Sequence, residues 1–320
     1  MTGTASCLTV LDRSELLALF NERVTFDAPL APYTSWKIGG PADALVHIEN
    51  TQELGQLLRF CLRRRLAWFI VGNGSNLLIG DGGLRGVVIR LGKEFTQIQL
   101  EQTADQIVIH AGGAASLAQL VGQGATHGAI GIDGLAGIPG SVGGAIRMNA
   151  GTNRETGEFI DELIGMSPSN PAPHAIHASY SYRHSTLARD IVVTSARFVF
   201  ERGDANTVRS LLQDRLIRRK NTQPLTWPNA GSCFRNPPNE RAGQLIEAAG
   251  LKGYRIGDAQ VSELHANFIV NLGKASAQDT AMLFAHVRRT VLAQTGIELQ
   301  PEVHFVGVFT ADTPQETVRA

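Results

Sequence analysis

Two spacings of apolar residues alternate along the chain and lay out its elements. A short helix is predicted from Ser14, read as its N-cap, through Leu16, Leu17, Leu19 and Phe20. Thr51 is read as capping a second helix, in which Leu54, Leu57, Leu58, Cys61 and Leu62 follow the i, i+3, i+4, i+7, i+8 stripe of one buried face. That helix ends in Arg63, Arg64 and Arg65, a solvated basic turn that suits a helix C-terminus. Residues 68–71 read as a strand running straight into Gly72 and Gly74, and residues 86–91 as another, a βαβ-like local order. Ser116 opens a helix through Leu117, Leu120 and Val121 that ends near Gly124 and Gly128. Strand character returns at 191–200, followed by a helix carrying Val208, Leu211, Leu212 and Leu216. The Asn-, Pro- and Gly-rich run at 220–238 reads as a boundary. Beyond it come a helix from about Arg241 closed by Gly250 and a strand at 267–271. A helix from Ser276, with Asp279 three residues on as in a capping box, stops at Gly296, and a last strand lies at 303–308.

Composition narrows the classes of function. With 320 residues, 43% apolar and 18% charged, the chain is long enough for two or three cores. Lys+Arg and Asp+Glu both number 29, so no global field draws nucleic acid or an anionic membrane, and neither is expected as a partner. Any phosphate must be held by local groups. Cys7, Cys61 and Cys233 lie far apart without CxxC spacing, and the histidines are scattered, so no metal site is expected and a reducing compartment fits. The N-terminus lacks a basic segment followed by an apolar one, and no apolar run approaches the ~18 residues of a membrane span. A cytoplasmic protein is the expectation.

Chemistry concentrates where glycine does. Gly72, Asn73, Gly74, Ser75, Asn76 and Leu77 carry the first two glycines of a dinucleotide fingerprint but not the third, and no helix pattern follows them. In the run at 137–145, Ile138, Pro139, Gly140, Ser141, Gly143, Gly144 and Ala145 would expose successive backbone N–H groups able to wrap a diphosphate. The same run serves equally as a tight loop. Together the two stretches form a pair of loops able to grip a dinucleotide from two sides. Asn149 supplies an amide for a ring edge, or is simply a turn residue. Residues 180–185 read as extended, with Tyr180 and Tyr182 on one face and Arg183 on the other, suited to a carboxylate or to plain exposure. Within 229–237, Ser232 offers a hydroxyl, Cys233 a thiol and Arg235 a cation, and the absence of a G-x-S-x-G elbow argues against a hydrolase. Glu302, after Pro301, reads by itself as a solvated acid.

In the order of these motifs the chain resembles the UDP-N-acetylenolpyruvoylglucosamine reductase (UDP-N-acetylmuramate dehydrogenase) family, from about Thr34 to Gly307. The stretch from Tyr33 through Trp36, Gly39 and Gly40 to Asp43 is similar to that family's opening FAD segment, residues 72–78 to its diphosphate loop and 137–145 to its second flavin loop. Arg183, Ser232 and Glu302 fall at its three catalytic positions, in YSYRHS, NAGSCFRNP and PEVHF. Lys220 resembles its lysine near the UDP moiety, and residues 261–271, with His265 and Asn267, its substrate-domain motif. Tyr182, Arg235 and Asn236 complete the substrate-binding set that the resemblance implies. After Gly151 the chain departs from the family pattern, with Thr152, Asn153, Arg154 and Glu155 in place of a small aromatic or histidine and a glycine.

The resemblance, to the compact subtype without a substrate-covering loop, implies an α+β fold. A two-subdomain FAD-binding unit of the PCMH type would occupy residues 1–92 and 93–205, and a C-terminal α+β substrate-binding domain residues 206–320. It further implies non-covalent FAD, NADPH as hydride donor, and a monomer that reduces a UDP-linked enolpyruvyl amino sugar in peptidoglycan precursor synthesis. Two other readings stand beside it. One is an FAD oxidoreductase of the same cofactor-binding class acting on an alcohol or sugar, against which counts the lack of a His or Cys tether in the glycine loops. The other is a nucleotide-sugar binding module without catalysis.

Overall fold

A computed structural model describes residues 8–310, so Cys7 lies outside the described residues. The chain divides into two compact units, one formed by residues 8–24, 46–72 and 89–219, the other by 25–45, 73–88 and 220–310. It passes between them after Val24, Leu45, Gly72, Val88 and Arg219. Among the described residues no helix is long and apolar enough to cross a membrane.

The first unit is built on five antiparallel strands in the spatial order Ile98–Gln102, Gln106–Gly112, Val192–Glu201, Ile160–Met166 and His174–Ala175. Val192–Glu201 has alternating burial over most of its length, so Val192, Ala196, Phe198 and Phe200 reach the core. Helix Leu117–His127 buries Leu117, Leu120 and Val121 against Ile107, Ile109 and Phe198 of the same cluster. Ser116 caps it by accepting from Gln119 N, and Gly128 ends it in the left-handed conformation (φ +84°), as expected. Two helix starts differ from expectation. The first helix is Val10–Phe20, because Thr9 and Asp12 form a reciprocal capping box ahead of Ser14. The second is Thr51–Arg64, capped by Asn50 rather than by Thr51.

A seven-residue helix, Val142–Met148, emerges from the second glycine run. Ser141 caps it, its Oγ accepting from Gly144 N at 3.3 Å. Two consecutive glycines at 143 and 144 depress helix propensity by about 1 kcal/mol each, which is why local pattern reads as loop. Burial of Val142, Ala145 and Ile146 outweighs that preference.

The second unit centres on helix Ala277–Thr295, capped reciprocally by Ser276 and Asp279 and closed by Gly296 (φ +71°). Its Phe284 gathers an aromatic cluster: Phe234 at 5.0 Å, Phe305 edge-on at 5.1 Å and Trp36 edge-on at 6.2 Å. Each such pair adds about 0.5–1.5 kcal/mol beyond its buried area. Trp36 is pinned as well as buried, since its Nε1 donates to Ile269 O at 2.8 Å and its own carbonyl accepts from Asn271 Nδ2 at 2.9 Å. Antiparallel strands Arg255–Ile256, Ala259–Val261 and Ile269–Asn271 line up beside this helix, and strand His304–Val306 pairs in parallel with Leu77–Ile79.

Candidate active site

In the first unit the two glycine loops meet. A Cβ placed on Gly72 would lie 2.7 Å from Ser141 Oγ, and one on Gly143 would lie 2.9 Å from Gly113 O. Glycine at these points permits a close approach, to a hydroxyl at Gly72 and to a backbone carbonyl at Gly143, that a side chain would obstruct. The N–H groups of 142–144 are not, however, a free cradle. Val142 N donates to Ala115 O at 2.9 Å, Gly143 N to Gly113 O at 2.8 Å, and Gly144 N to the Ser141 cap. For 142–144 the expectation of open amides is thus corrected: these are the first N–H groups of a helix, which have no intrahelical acceptor, and the carbonyls of residues 113 and 115 and the Ser141 cap take them.

Arg183 stands at a hairpin tip rather than in an extended segment. Strands Tyr180–Ser181 and His184–Ser185 pair, leaving Tyr182 and Arg183 as a two-residue turn, with Arg183 at φ +54°. Tyr180 lies against Gly157, where a Cβ would collide with its ring. The guanidinium sits over the Tyr182 ring at 4.9 Å, with Nη2 donating to Gly151 O at 2.6 Å and Nη1 to Glu155 Oε1 at 3.4 Å. Asn149, 2% exposed and itself left-handed at φ +44°, is spoken for at both ends. Its Nδ2 donates to Glu155 Oε2 at 2.5 Å and Ser181 O at 2.9 Å, while its Oδ1 accepts from Gly157 N at 2.8 Å. It braces the hairpin, and no part of its amide faces outward for a ring edge.

In the second unit Tyr33 and the first glycine loop are brought together. Ser35 N donates to Gly74 O at 3.3 Å, and a Cβ on Gly74 (φ +57°) would collide with Tyr33 O. Asn73 is exposed, and Ser75 and Asn76 are partly buried. Asn76 Nδ2 donates to Glu302 O at 3.0 Å and its carbonyl accepts from His304 N at 3.0 Å, which ties this loop to the Glu302 segment.

Ser232 and Glu302 are neighbours through one backbone bond, Glu302 N donating to Cys233 O at 2.8 Å. The turn before Ser232 is shaped by Asn229, whose Oδ1 accepts from Gly231 N at 2.9 Å, and by Gly231 at φ +77°. Asn267, 4% exposed, grips the turn after it, accepting from Phe234 N at 3.0 Å and donating to Phe234 O at 2.8 Å. Asn267 O also accepts from Cys233 N at 2.8 Å. Cys233 points into the aromatic core at 1% exposure. Burial pushes its thiol well up, with the Glu302 charge adding to that and a backbone hydrogen bond from Ile269 partly opposing it. A thiol so placed is a core filler, which leaves Ser232 as the accessible hydroxyl of the pair. Cys61, in the other unit, is likewise buried and is pushed up to about 12.

The remaining candidates are placed less closely. Arg235 is partly buried and Asn236 exposed, the latter accepting from Ala242 N at 3.1 Å, while Lys220 is exposed on helix Ala205–Thr222. His265 Nδ1 accepts from Asn267 N at 3.2 Å, which assigns the proton to Nε2, and burial lowers its pKa. Sequence reasoning missed Glu155 as a partner of Arg183 and the inward duties of Asn149 and Asn267. Only the left-handed turn at Asn149, hinted at by the Asn-Ala-Gly sequence, offered a signal.

Comparison with known proteins identifies the family. Residues 42–167 match the FAD binding domain family, and residues 223–306 match the family described as UDP-N-acetylenolpyruvoylglucosamine reductase, C-terminal domain. The UDP-N-acetylenolpyruvoylglucosamine reductase of Heliobacterium modesticaldum is 42% identical over 87% of this chain and 89% of its own length. The chain belongs to this family. The reductase from Myxococcus xanthus is 40% identical over 88% of this chain and 91% of its own. The crystal structure of the Thermus caldophilus UDP-N-acetylenolpyruvylglucosamine reductase superposes with a TM-score of 0.74 at 34% identity, covering 89% of this chain and 98% of that one. The expected fold is therefore the fold found: an FAD-binding part of mixed helix and strand followed by the reductase family's C-terminal domain. The chain is a flavoprotein oxidoreductase of peptidoglycan precursor synthesis, as its family is.

Proposed function

We propose that this chain reduces the enolpyruvyl ether of UDP-N-acetylglucosamine enolpyruvate to UDP-N-acetylmuramate, with NADPH as electron source, as a monomer in the cytoplasm serving wall synthesis and so cell shape and division. The observation that carries the reading is that the Glu302 segment is bonded to the turn bearing Ser232, Glu302 N donating to Cys233 O, on a turn clamped by Asn267. An FAD oxidase acting on an alcohol or sugar is not favoured by the family comparison. The parts are proposed to divide near residues 92 and 205, as their motifs suggest.

Non-covalent FAD is proposed to lie along the two glycine loops, whose glycines at 72, 74 and 143 let the chain pack so tightly that a Cβ would strike Ser141 Oγ, Tyr33 O and Gly113 O, leaving a side-chain-free backbone there. Tyr33, residues 72–77, residues 138–141, Gly143, Gly144, Ala145 and Asn149 are proposed to shape its site, the last by bracing rather than by direct contact. FAD, when bound and reduced by NADPH, would supply the hydride that the terminal enol-ether carbon receives. Negative charge then develops on the α carbon and spreads into the adjoining carboxylate. Arg183 is proposed to hold that carboxylate, its planar fork matching two oxygens where a lysine would offer one point charge. Ser232 is proposed to deliver the proton to the α carbon, a role open to a weak acid only where water is excluded and the acceptor is strongly basic. Glu302, when protonated or bridged through water, is proposed to complete the polarisation of the substrate carboxylate. Tyr182, Lys220, Arg235, Asn236, His265 and the turn held by Asn267 are proposed to line the nucleotide-sugar side.

Anaerobic mixing separates the two half-reactions. Ser232→Ala is expected to leave bleaching of the flavin by NADPH unchanged and to slow its recovery on adding the enolpyruvyl nucleotide sugar by about 100-fold or more, in the range of positioned proton transfer. Equal slowing of both phases refutes the assigned role, and no recovery in the unsubstituted protein refutes the substrate.

A further inference from the structure

Arg183 sits on a hairpin turn, the kind of position that wanders unless something holds it. What holds it lies in the segment just after Gly151. Glu155 spends its two oxygens on different groups: Oε1 accepts from Arg183 Nη1 at 3.4 Å and Oε2 from Asn149 Nδ2 at 2.5 Å. Asn149 in turn donates to Ser181 O, in the first strand of Arg183's own hairpin. The guanidinium is thus tied through Glu155 and Asn149 to the base of the turn that carries it. Glu155 is itself fixed, its N–H donating to Glu158 Oε1 at 2.6 Å and its backbone bridging Gly151, whose carbonyl accepts from Arg183 Nη2. A plain solvated acid would not have both oxygens committed at 23% side-chain exposure.

We propose that Glu155 is the positioning residue for Arg183: it fixes the guanidinium's orientation and offsets part of its charge. An Arg with its charge partly offset binds the substrate carboxylate only modestly in the ground state. Its hold strengthens as charge grows during reduction, and that difference is what lowers a barrier. The proposal rests on the role assigned to Arg183 above.

Glu155→Gln tests it, because the amide keeps size and one acceptor but can neither accept from both Arg183 and Asn149 nor offset the guanidinium. Rates are read as single turnovers per bound flavin, so altered loading does not imitate an effect. Reoxidation by the enolpyruvyl nucleotide sugar is expected to slow roughly tenfold, the scale of one such coupling, while KM for that substrate stays level or falls and bleaching by NADPH is unchanged. A merely structural role would raise KM and slow both phases. Glu155→Asp, which keeps the charge on a shorter arm, is expected to recover part of the rate, and it carries the same comparison should the glutamine variant not fold. In an Arg183→Lys background the Glu155 change is expected to add nothing. Reoxidation undisturbed in Arg183→Lys alone overturns the role of Arg183 and this proposal with it. A slow Arg183→Lys whose loss multiplies with that of Glu155→Gln overturns this proposal alone, as does a Glu155→Gln that runs at full rate.

Discussion

Replacing Asn267 by Ala removes a clamp whose worth can be worked from its geometry. Its side chain, 4% exposed, makes two hydrogen bonds of 3.0 and 2.8 Å to the N–H and C=O of Phe234. Phe234 is 2% exposed, so water does not replace the lost partner. Each buried backbone group left unmatched costs about 1–3 kcal/mol, hence about 2–6 kcal/mol for the pair. Against a total stability of about 5–15 kcal/mol for a folded domain, that is a large fraction. Urea denaturation at fixed pH should show a lower midpoint with unchanged slope, and single-turnover reoxidation should slow as the turn bearing Ser232 loosens. Asn267→Asp adds a sign to the test. A buried carboxyl facing the Phe234 carbonyl is raised above its unfolded pKa, so the neutral form, which can donate there, is favoured as pH falls and the contribution is lost as pH rises. The Asp variant should therefore regain stability on acidification from pH about 8 towards 5. A midpoint for Asn267→Ala matching the unsubstituted protein within about 0.5 kcal/mol would falsify the clamp.

Three further changes separate the pieces. Gly72→Ala forces a Cβ to within 2.7 Å of Ser141 Oγ, so Ser141 must give up its cap and flavin should be lost, seen as a lower flavin-to-protein absorbance ratio; full loading would count against the meeting of the loops. Cys233→Ala should lower the melting temperature through a core cavity while single-turnover reoxidation stays within about threefold, and a collapse like that of Ser232→Ala would return the acid role to the thiol. His265, like His47 and His286, has its pKa lowered chiefly by burial, so the unfolded chain takes up the proton first and stability is lost as pH falls from about 6.5. His265→Gln should flatten that loss between pH about 7 and 5, and an unchanged slope in urea midpoints against pH would show that the ring is not desolvated as described.

Helices whose ends carry their own instructions could be read from sequence. Ser116 with Gly128, and Ser276 and Asp279 with Gly296, each pair a side-chain cap with a left-handed stop, and the structure places the helices between them. Helix Val142–Met148 was hidden because Gly143 and Gly144 oppose it locally and only burial of its other face sustains it. The hairpin at Arg183 was hidden because two-residue strands are too short for alternation to register. Motif order picked out the polar candidates, but not the direction they face. Asn149 and Asn267 turn inward, because buried backbone groups at Gly157, Ser181 and Phe234 require partners and no local pattern announces that need. Glu155 escaped notice for the same reason, since its partners lie 6 and 28 residues away.

The bond from Trp36 to the carbonyl of Ile269 spans 233 residues. During synthesis the nascent chain therefore exposes a tryptophan for which the ribosome has yet to make a partner. Residues 25–45 and 73–88 must wait for residues 220–310 before their core can close, so the second unit completes only late in translation. Such distant pairings slow folding, and a fragment covering residues 223–306 alone would lack Trp36, Ile38 and Leu78 from its core and should not be stable by itself.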